Sequence, residues 1–153
     1  YENTIKQICH IVTKMNKKLI IKVHHGTIFD EKFVNDINPN IIVKNTGSFY
    51  QYAKNCEFLI CIDNSTAILE TMLLKKPIIS ILIKEKDSNS KIFQDNYTVK
   101  IKISDLERIL TRLSTDDNFR ISCIKRGSKF IHDNLLNPGN STKSFLKFLS
   151  KVS

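Results

Sequence analysis

The sequence predicts an α/β protein with a doubly wound, mostly parallel sheet and helices on both faces. Short apolar, β-branched runs alternate with segments of helical periodicity along the chain. The clearest unit is Glu57–Ile83, which contains a strand, a polar turn, a helix and a second strand. Parallel strands joined by helices need right-handed crossovers, and such crossovers cover the sheet on both sides.

Within this unit, a polar turn joins the first strand to the start of the helix. The apolar run Phe58–Ile62 predicts a buried strand, and Asp63–Thr66 supplies N-cap residues for the helix that follows. Lys75–Pro77 ends that helix, and Ile78–Ile83 predicts the next buried strand. Unpaired N–H groups and the helix dipole stabilise anions at a helix N-terminus, and phosphate in particular.

The segments before this unit also alternate. A helix is predicted at Tyr1–Lys17, followed by a strand at Lys18–His24. A short helix or ordered loop is predicted at Phe29–Ile37 and a strand at Ile41–Val43. A helix with Ser48 as its N-cap is predicted at Phe49–Asn55.

After the unit, Lys84–Asn96 is predicted to be a polar surface loop and Tyr97–Ile103 an edge strand. Two helices are expected next, capped by Ser104-Asp105 and starting after Thr115–Asp117. A turn at Asn137–Thr142 and a closing helix carrying Phe145, Leu146, Phe148 and Leu149 complete the chain.

Three polar segments directly follow predicted strands: His24–Gly26, Asn45–Gly47 and Asp63–Thr66. Ligands of open α/β sheets bind beyond the carboxyl ends of the strands. We therefore expect these three segments to meet at one edge of the sheet and to form a ligand site.

Composition bounds the class of protein. At 153 residues, 41% of them hydrophobic and 25% charged, the chain is long enough for one domain with its own core and too apolar to be disordered. No apolar run has the length of a membrane span, and residues 1–18 lack a signal-peptide layout.

The net charge of +9 comes from lysines scattered along the chain. Scattered lysines are most often a solvated basic surface, but they also suit an anionic membrane face, nucleotide phosphates or nucleic acid.

Cys9, Cys56, Cys61 and Cys123 form no C-x-x-C pair, so we expect reduced thiols and a cytosolic protein. His24-His25 and the cysteines lack zinc-ligand spacing, and there is no D-x-D pair, so no metal is expected.

Several motifs together resemble the C-terminal nucleotide-binding domain of GT-B glycosyltransferases and their relatives. These relatives include UDP-N-acetylglucosamine 2-epimerases and capsule and teichoic-acid transferases. The resemblance begins with Asp63–Thr66, then Glu70, then Lys76-Pro77 before a strand. Three further places agree in order: Lys22–His24 at a strand end, Ser48–Asn55 as an aromatic-bearing helix, and the turn Asn137–Ser141. The likeness covers most of the chain and implies a Rossmann-like fold.

The resemblance implies a role for individual residues. Ser65 and Thr66 would bind the diphosphate of a nucleotide-sugar donor, and Glu70 would bind the ribose hydroxyls. Asn64 is a further substrate-binding residue. His24, the candidate catalytic residue, would face the donor phosphates or the sugar.

Four further residues complete the implied substrate site: Lys22 and His25 at the first strand end, and Thr46 and Phe49 in the segment bordering the nucleobase. We expect Ser65 and Thr66 at a helix N-terminus that faces a cleft with His24 nearby. The nucleotide-diphosphate sugar is a substrate, and no cofactor is implied.

Each of these residues also has a structural interpretation. Ser65 and Thr66 could serve only as helix-capping residues, and Glu70 could be a solvated helix residue. Lys22 could be a lysine whose stem lies along a strand end. Asp63 is expected to be structural, fixing the turn through local backbone bonds.

The leading hypothesis is therefore the donor-binding domain of a GT-B glycosyltransferase for surface polysaccharide or glycolipid synthesis. The protein is expected in the cytoplasm, with peripheral association at the inner membrane face left open. The resemblance also implies a separate N-terminal acceptor domain outside this sequence, so the isolated domain is expected to be inactive.

Two alternatives remain open at this point. One is an epimerase-like or CDP-alcohol phosphotransferase-like enzyme, although Lys84–Asn96 lacks the arginine- and glutamate-bearing loop of the epimerases. The other is a non-catalytic basic α/β domain that binds nucleic acid or an acidic partner. Nucleobase, sugar, acceptor and stereochemical outcome are not fixed by the residues.

Overall fold

The computed structural model describes residues 1–24, 26–84, 89–135, 139–140 and 143. The described helices are α1 (Glu2–Lys14), α2 (Lys32–Ile37), α3 (Phe49–Ala53), α4 (Thr66–Leu73), α5 (Leu106–Thr115) and α6 (Asp117–Asn134). The described strands are β1 (Ile20–Lys22), β2 (Ile42–Lys44), β3 (Leu59–Ile62), β4 (Ile78–Ile81) and β5 (Val99–Ile101).

These strands form two small parallel sheets flanked by helices. β1 pairs with β2, and β4 lies between β3 and β5 in a three-stranded sheet. The α/β class and the parallel pairing that the sequence predicts are therefore confirmed. The expected single sheet is divided, because no hydrogen-bonded ladder joins β1 to β3 within the described residues.

Both faces of the three-stranded sheet are covered, as a buried parallel sheet requires. On one face Ile79 and Ile81 of β4 pack in a core cluster with apolar residues of α1 and α5. On the other face Ile78 packs with Ile68 and Met72 of α4 and with Phe130 of α6. Alternate residues of β4 thus point to opposite layers, which is why this strand is apolar throughout except for buried Ser80.

Helix α1 connects the two sheets. Its residues Ile8 and Val12 belong to the cluster over β4, whereas Cys9 packs with Val34 and Ile41 beside the two-stranded sheet. One amphipathic helix therefore holds the two sheets together through different parts of its apolar stripe.

Two local predictions are corrected. Lys84–Asn96, expected as a polar surface loop, contains a 3₁₀ turn at Lys91–Phe93 that buries Ile92 and Phe93 beneath α4 and α6. Ser104 and Asp105 do not cap α5 through their side chains, because a second 3₁₀ turn over Ile103–Asp105 leads directly into that helix.

Other predicted features agree with the structure or fall outside it. Ser48 caps α3 in a full capping box with Gln51, Asp116 caps α6, and the four cysteines are free thiols. Most of the predicted turn Asn137–Thr142 and nearly all of the closing helix lie outside the described residues.

Helices α4 and α6 pack unusually close to each other at Gly127. A Cβ added there would lie 2.8 Å from Cγ of Met72, which is shorter than real contacts. Because Gly127 has no side chain, α4 and α6 can approach each other closely and cover the apolar layer beneath them.

Among the described helices, none has the length and apolar character that crossing a bilayer needs.

Candidate functional site

The first turn of α4 follows directly from the carboxyl end of β3. Ser65 is the N-cap in extended conformation, and its Oγ accepts a hydrogen bond of 3.2 Å from the Ala67 N–H. Its carbonyl accepts from the Ile68 N–H at 3.0 Å. The first N–H groups of a helix have no acceptor inside it, so the N–H of Thr66 is left for a partner outside the helix. The exposed Thr66 side chain places a hydroxyl beside it.

Asp63 fixes the turn that leads into α4. It has left-handed backbone geometry (φ 56°) and only 3% of its surface is exposed. Its Oδ1 accepts hydrogen bonds from the N–H groups of Ile83 at 2.6 Å and Lys84 at 2.9 Å, and its Oδ2 accepts one from the Tyr1 hydroxyl. The side chain therefore ties the end of β3 to the end of β4 and to the start of α1.

The structural role expected for Asp63 is thus confirmed, with one difference. Its carboxylate bonds are long-range bonds to the neighbouring strand end and to Tyr1, whereas the sequence predicted local ones. Burial alone raises the pKa of this carboxyl, but the hydrogen bonds from Tyr1, Lys84 and Ile83 and the charge of Lys84 outweigh it. The net result is a pKa below the usual range, so the group is ionised at neutral pH.

A cleft of about 540 Å³ opens at the start of α4. It lies between this helix, the 3₁₀ turn at Lys91–Phe93 and the end of α6. Its lining residues are Asn64, Ser65, Thr66, Leu69, Ser90, Lys91, Ile92, Phe130, Asn134 and Leu135. This volume is within the range of small-ligand sites.

The cleft has a polar and an apolar part. Asn64, Ser65, Thr66, Ser90 and Lys91 contribute hydroxyls, an amide and one cation, and Asn64 Nδ2 donates to Ser90 Oγ at 3.3 Å. The remaining lining is mostly apolar. A helix N-terminus beside an exposed lysine is an arrangement that stabilises a phosphoryl group.

The structure places the predicted site residues in two groups. Asn64, Ser65 and Thr66 line the cleft together, at the helix N-terminus where the sequence placed them. Glu70 is exposed one turn further along α4, where Leu69 and not Glu70 faces the cleft.

The second group consists of Lys22, His24, Thr46 and Phe49, which lie at the ends of β1 and β2 and at the start of α3. None of these four lines the cleft, although His24 is exposed. His25 lies outside the described residues.

Seven cleft residues were not among the predicted site residues: Leu69, Ser90, Lys91, Ile92, Phe130, Asn134 and Leu135. Ser90 and Lys91 belong to the segment predicted as a surface loop, and Phe130 and Asn134 belong to α6, far along the chain from Glu57–Ile83. The Asn134 amide donates to the Phe130 carbonyl at 3.0 Å, which orients it at the end of α6. Only tertiary packing, of α6 and of the 3₁₀ turn at Lys91–Phe93 against α4, brings these residues to the helix start.

Within the described residues, no group of three histidine, cysteine or acidic side chains is placed to hold a metal ion.

The chain matches no known protein-family model, no curated protein and no solved structure.

Proposed function

We propose that this chain is the nucleotide-sugar-binding domain of a GT-B glycosyltransferase that acts on a surface polysaccharide or glycolipid. The supporting observation is the cleft at the N-terminus of α4, lined by Asn64, Ser65, Thr66 and Lys91. In this proposal the two sheets correspond to the halves of a doubly wound, Rossmann-like domain.

The diphosphate of the donor occupies the polar part of the cleft. The Thr66 N–H and hydroxyl donate to one phosphoryl group, and the Lys91 ammonium neutralises the other. The Ser65 hydroxyl keeps its proton for donation, because its oxygen is the acceptor for Ala67. The Ser65 hydroxyl and the Thr66 N–H are fixed by the start of α4, so their binding to phosphate requires little reorganisation.

This arrangement also suits the chemical step of glycosyl transfer. When the sugar leaves the nucleotide, negative charge grows on the phosphate that remains. A fixed helix N-terminus and a cation stabilise that developing charge more than they stabilise the intact donor. The resemblance assigns the donor sugar to His24 and the ribose to Glu70. Both residues lie outside the lining of the cleft, so this proposal requires the sugar and the ribose to extend beyond it.

The acceptor and any base that activates it belong to a second domain in this proposal, and catalysis takes place in the cytoplasm. An epimerase-like or CDP-alcohol phosphotransferase-like enzyme would use the same cleft for its nucleotide. The non-catalytic alternative would not need the cleft at all.

Thr66→Val is expected to weaken nucleoside-diphosphate binding by about tenfold, the loss of one hydrogen bond to a charged group. Isothermal calorimetry with UDP, CDP and GDP measures this. Glu70→Ala should reduce the difference in affinity between UDP and 2′-deoxy-UDP, measured in the same way. Thr111→Val is the matched control, because Thr111 is an exposed helical threonine of α5, on the opposite face of the sheet.

Equal affinity of Thr66→Val and the unmodified chain would contradict the placement of the phosphates. Failure to bind any of the three nucleotides, together with salt-sensitive binding of DNA or RNA, would favour the non-catalytic basic domain.

A further inference from the structure

Two lysines stand side by side at the carboxyl end of the two-stranded sheet. Lys22 of β1 and Lys44 of β2 are register partners in the parallel pair. Alternation along the strands places them on the same face as Ile20 and Ile42, which are also partners. Adjacent strands are about 4.8 Å apart, so the two lysine stems leave the sheet as neighbours.

This face of the sheet is open. Ile20 is 36% exposed and Ile42 is 45% exposed, whereas Ile21 and Val43 on the other face pack in the cluster beside α1. Both lysines are partly exposed. The pair therefore lies on a face of the two-stranded sheet that is open to solvent at Ile20 and Ile42.

The ammonium of Lys22 is held at the strand end. Its Nζ donates to the carbonyl of Val23 at 2.8 Å, and the Val23 N–H donates to the carbonyl of Lys44 at 2.9 Å. An ammonium group has three donors, so two remain after the bond to Val23. They are at the carboxyl end of the strands, the side on which α/β sheets bind ligands.

Among the residues that the structure describes, no acidic side chain forms an ion pair with Lys22 or Lys44. Ion pairs among the described residues involve other cations, namely Lys6, Lys14, Lys17, Arg108, Arg112, Arg120, Lys129 and His132. Like charges at opposed positions of a sheet are destabilising by about 0.2–1 kcal/mol. An anion between the two ammonium groups would replace this repulsion with two attractive contacts.

We propose that Lys22 and Lys44 form a second anion site, separate from the cleft, that binds a phosphoryl group. The resemblance places Lys22 in the substrate site, but Lys22 does not line the cleft, and Lys44 was not singled out from the sequence. The proposal does not depend on the function of the cleft. The phosphoryl group belongs either to a soluble phosphate ester or to a lipid headgroup.

The test is a titration of the labelled chain with inorganic pyrophosphate at low salt, followed at the backbone amides of Val23 and Asn45. We expect saturable shifts at both amides, at least fivefold weaker binding in Lys22→Gln and in Lys44→Gln, and no saturable shift in the double variant. Lys125→Gln is the control, since Lys125 is an exposed lysine on α6. Thermal denaturation of each variant checks that it is folded.

Unchanged titration of Val23 and Asn45 in the double variant would overturn the proposal. Thr66→Val separates this site from the cleft, because it should leave the Val23 titration intact while weakening nucleotide binding.

Sedimentation with vesicles distinguishes the two sources of phosphate. Binding to vesicles of phosphatidylglycerol and phosphatidylcholine, lost in the double lysine variant and in Ile20→Ser/Ile42→Ser, identifies a lipid headgroup. Pyrophosphate binding without vesicle binding identifies a soluble phosphate ester. Absence of both pyrophosphate binding and vesicle binding would overturn the proposed site.

Discussion

Phe93→Ala is expected to lower the free energy of unfolding by about 3–5 kcal/mol. Phe93 has 0% exposure and packs in the cluster formed by α4, β4 and α6, together with Ile68, Met72 and Tyr97. Replacing it by alanine removes the burial of a large ring and leaves a cavity beneath the cleft. Urea denaturation at neutral pH measures the loss.

Phe93→Leu is the control for this change, and it should cost about half as much because most of the volume is kept. The neighbouring Gln94 is exposed, so Gln94→Ala should change stability by less than about 0.5 kcal/mol. A loss below about 1 kcal/mol for Phe93→Ala would show that this segment is a surface loop after all.

The second large effect is expected from Asp63→Ala, at about 3 kcal/mol or more. The substitution removes the buried carboxylate that accepts part-buried hydrogen bonds from the N–H groups of Ile83 and Lys84, and it places alanine at φ 56°. A donor that is left unpaired away from water costs about 1–3 kcal/mol. Asn at φ 56° is tolerated better than most residues, so Asp63→Asn keeps the turn and one acceptor oxygen and should lose less. Tyr1→Phe removes only the bond to Oδ2.

The same carboxylate makes stability depend on pH. Its pKa in the folded chain is below the unfolded value, which is about 3.9. Its contribution is therefore fully present above about pH 4 and is lost as the pH falls through the folded pKa.

Two other carboxyls also have lowered pKa values. Hydrogen bonds from Phe119 and Arg112 lower the pKa of Asp116. Hydrogen bonds from His132 and Lys129 lower the pKa of Asp133. Because these carboxyls also make stability depend on pH, the contribution of Asp63 has to be separated from theirs. This is done by comparing the free energy of unfolding at pH 7 and at pH 3 in the unmodified chain and in Asp63→Asn. The stability difference between the two proteins should shrink at pH 3. A difference that stays constant would contradict the role of the ionised carboxylate.

The helices and strands were predictable because their signals are local. The apolar period of Ile68 and Met72, the cap at Ser65 and the stop at Pro77 are all visible within one stretch of sequence. Phe93 was not predictable in the same way, since the turn that buries it is short and surrounded by polar residues, and its burial depends on contacts with α4 and α6.

The site was predictable in part for the same reason. Ser65 and Thr66 follow from a helix start after a buried strand, a local pattern. Lys91 and Asn134 come from segments with no periodicity that points to the cleft, and only tertiary packing brings them there. The sequence also could not show that β1 and β3 lack a shared ladder, because strand order is set by non-local pairing. The binding roles of Glu70 and His24 remain predictions.

The most direct test of the central claim is to map the binding of UDP, CDP and GDP onto backbone amides by NMR. The proposed site predicts that one of these nucleotides shifts the amides of Asn64, Ser65, Thr66 and Lys91, and that Thr66→Val weakens the same shifts by about tenfold. The amides of α5 should not move. Saturable shifts confined to other parts of the chain, or no shift with any of the three nucleotides, would contradict the claim that the start of α4 binds the nucleotide.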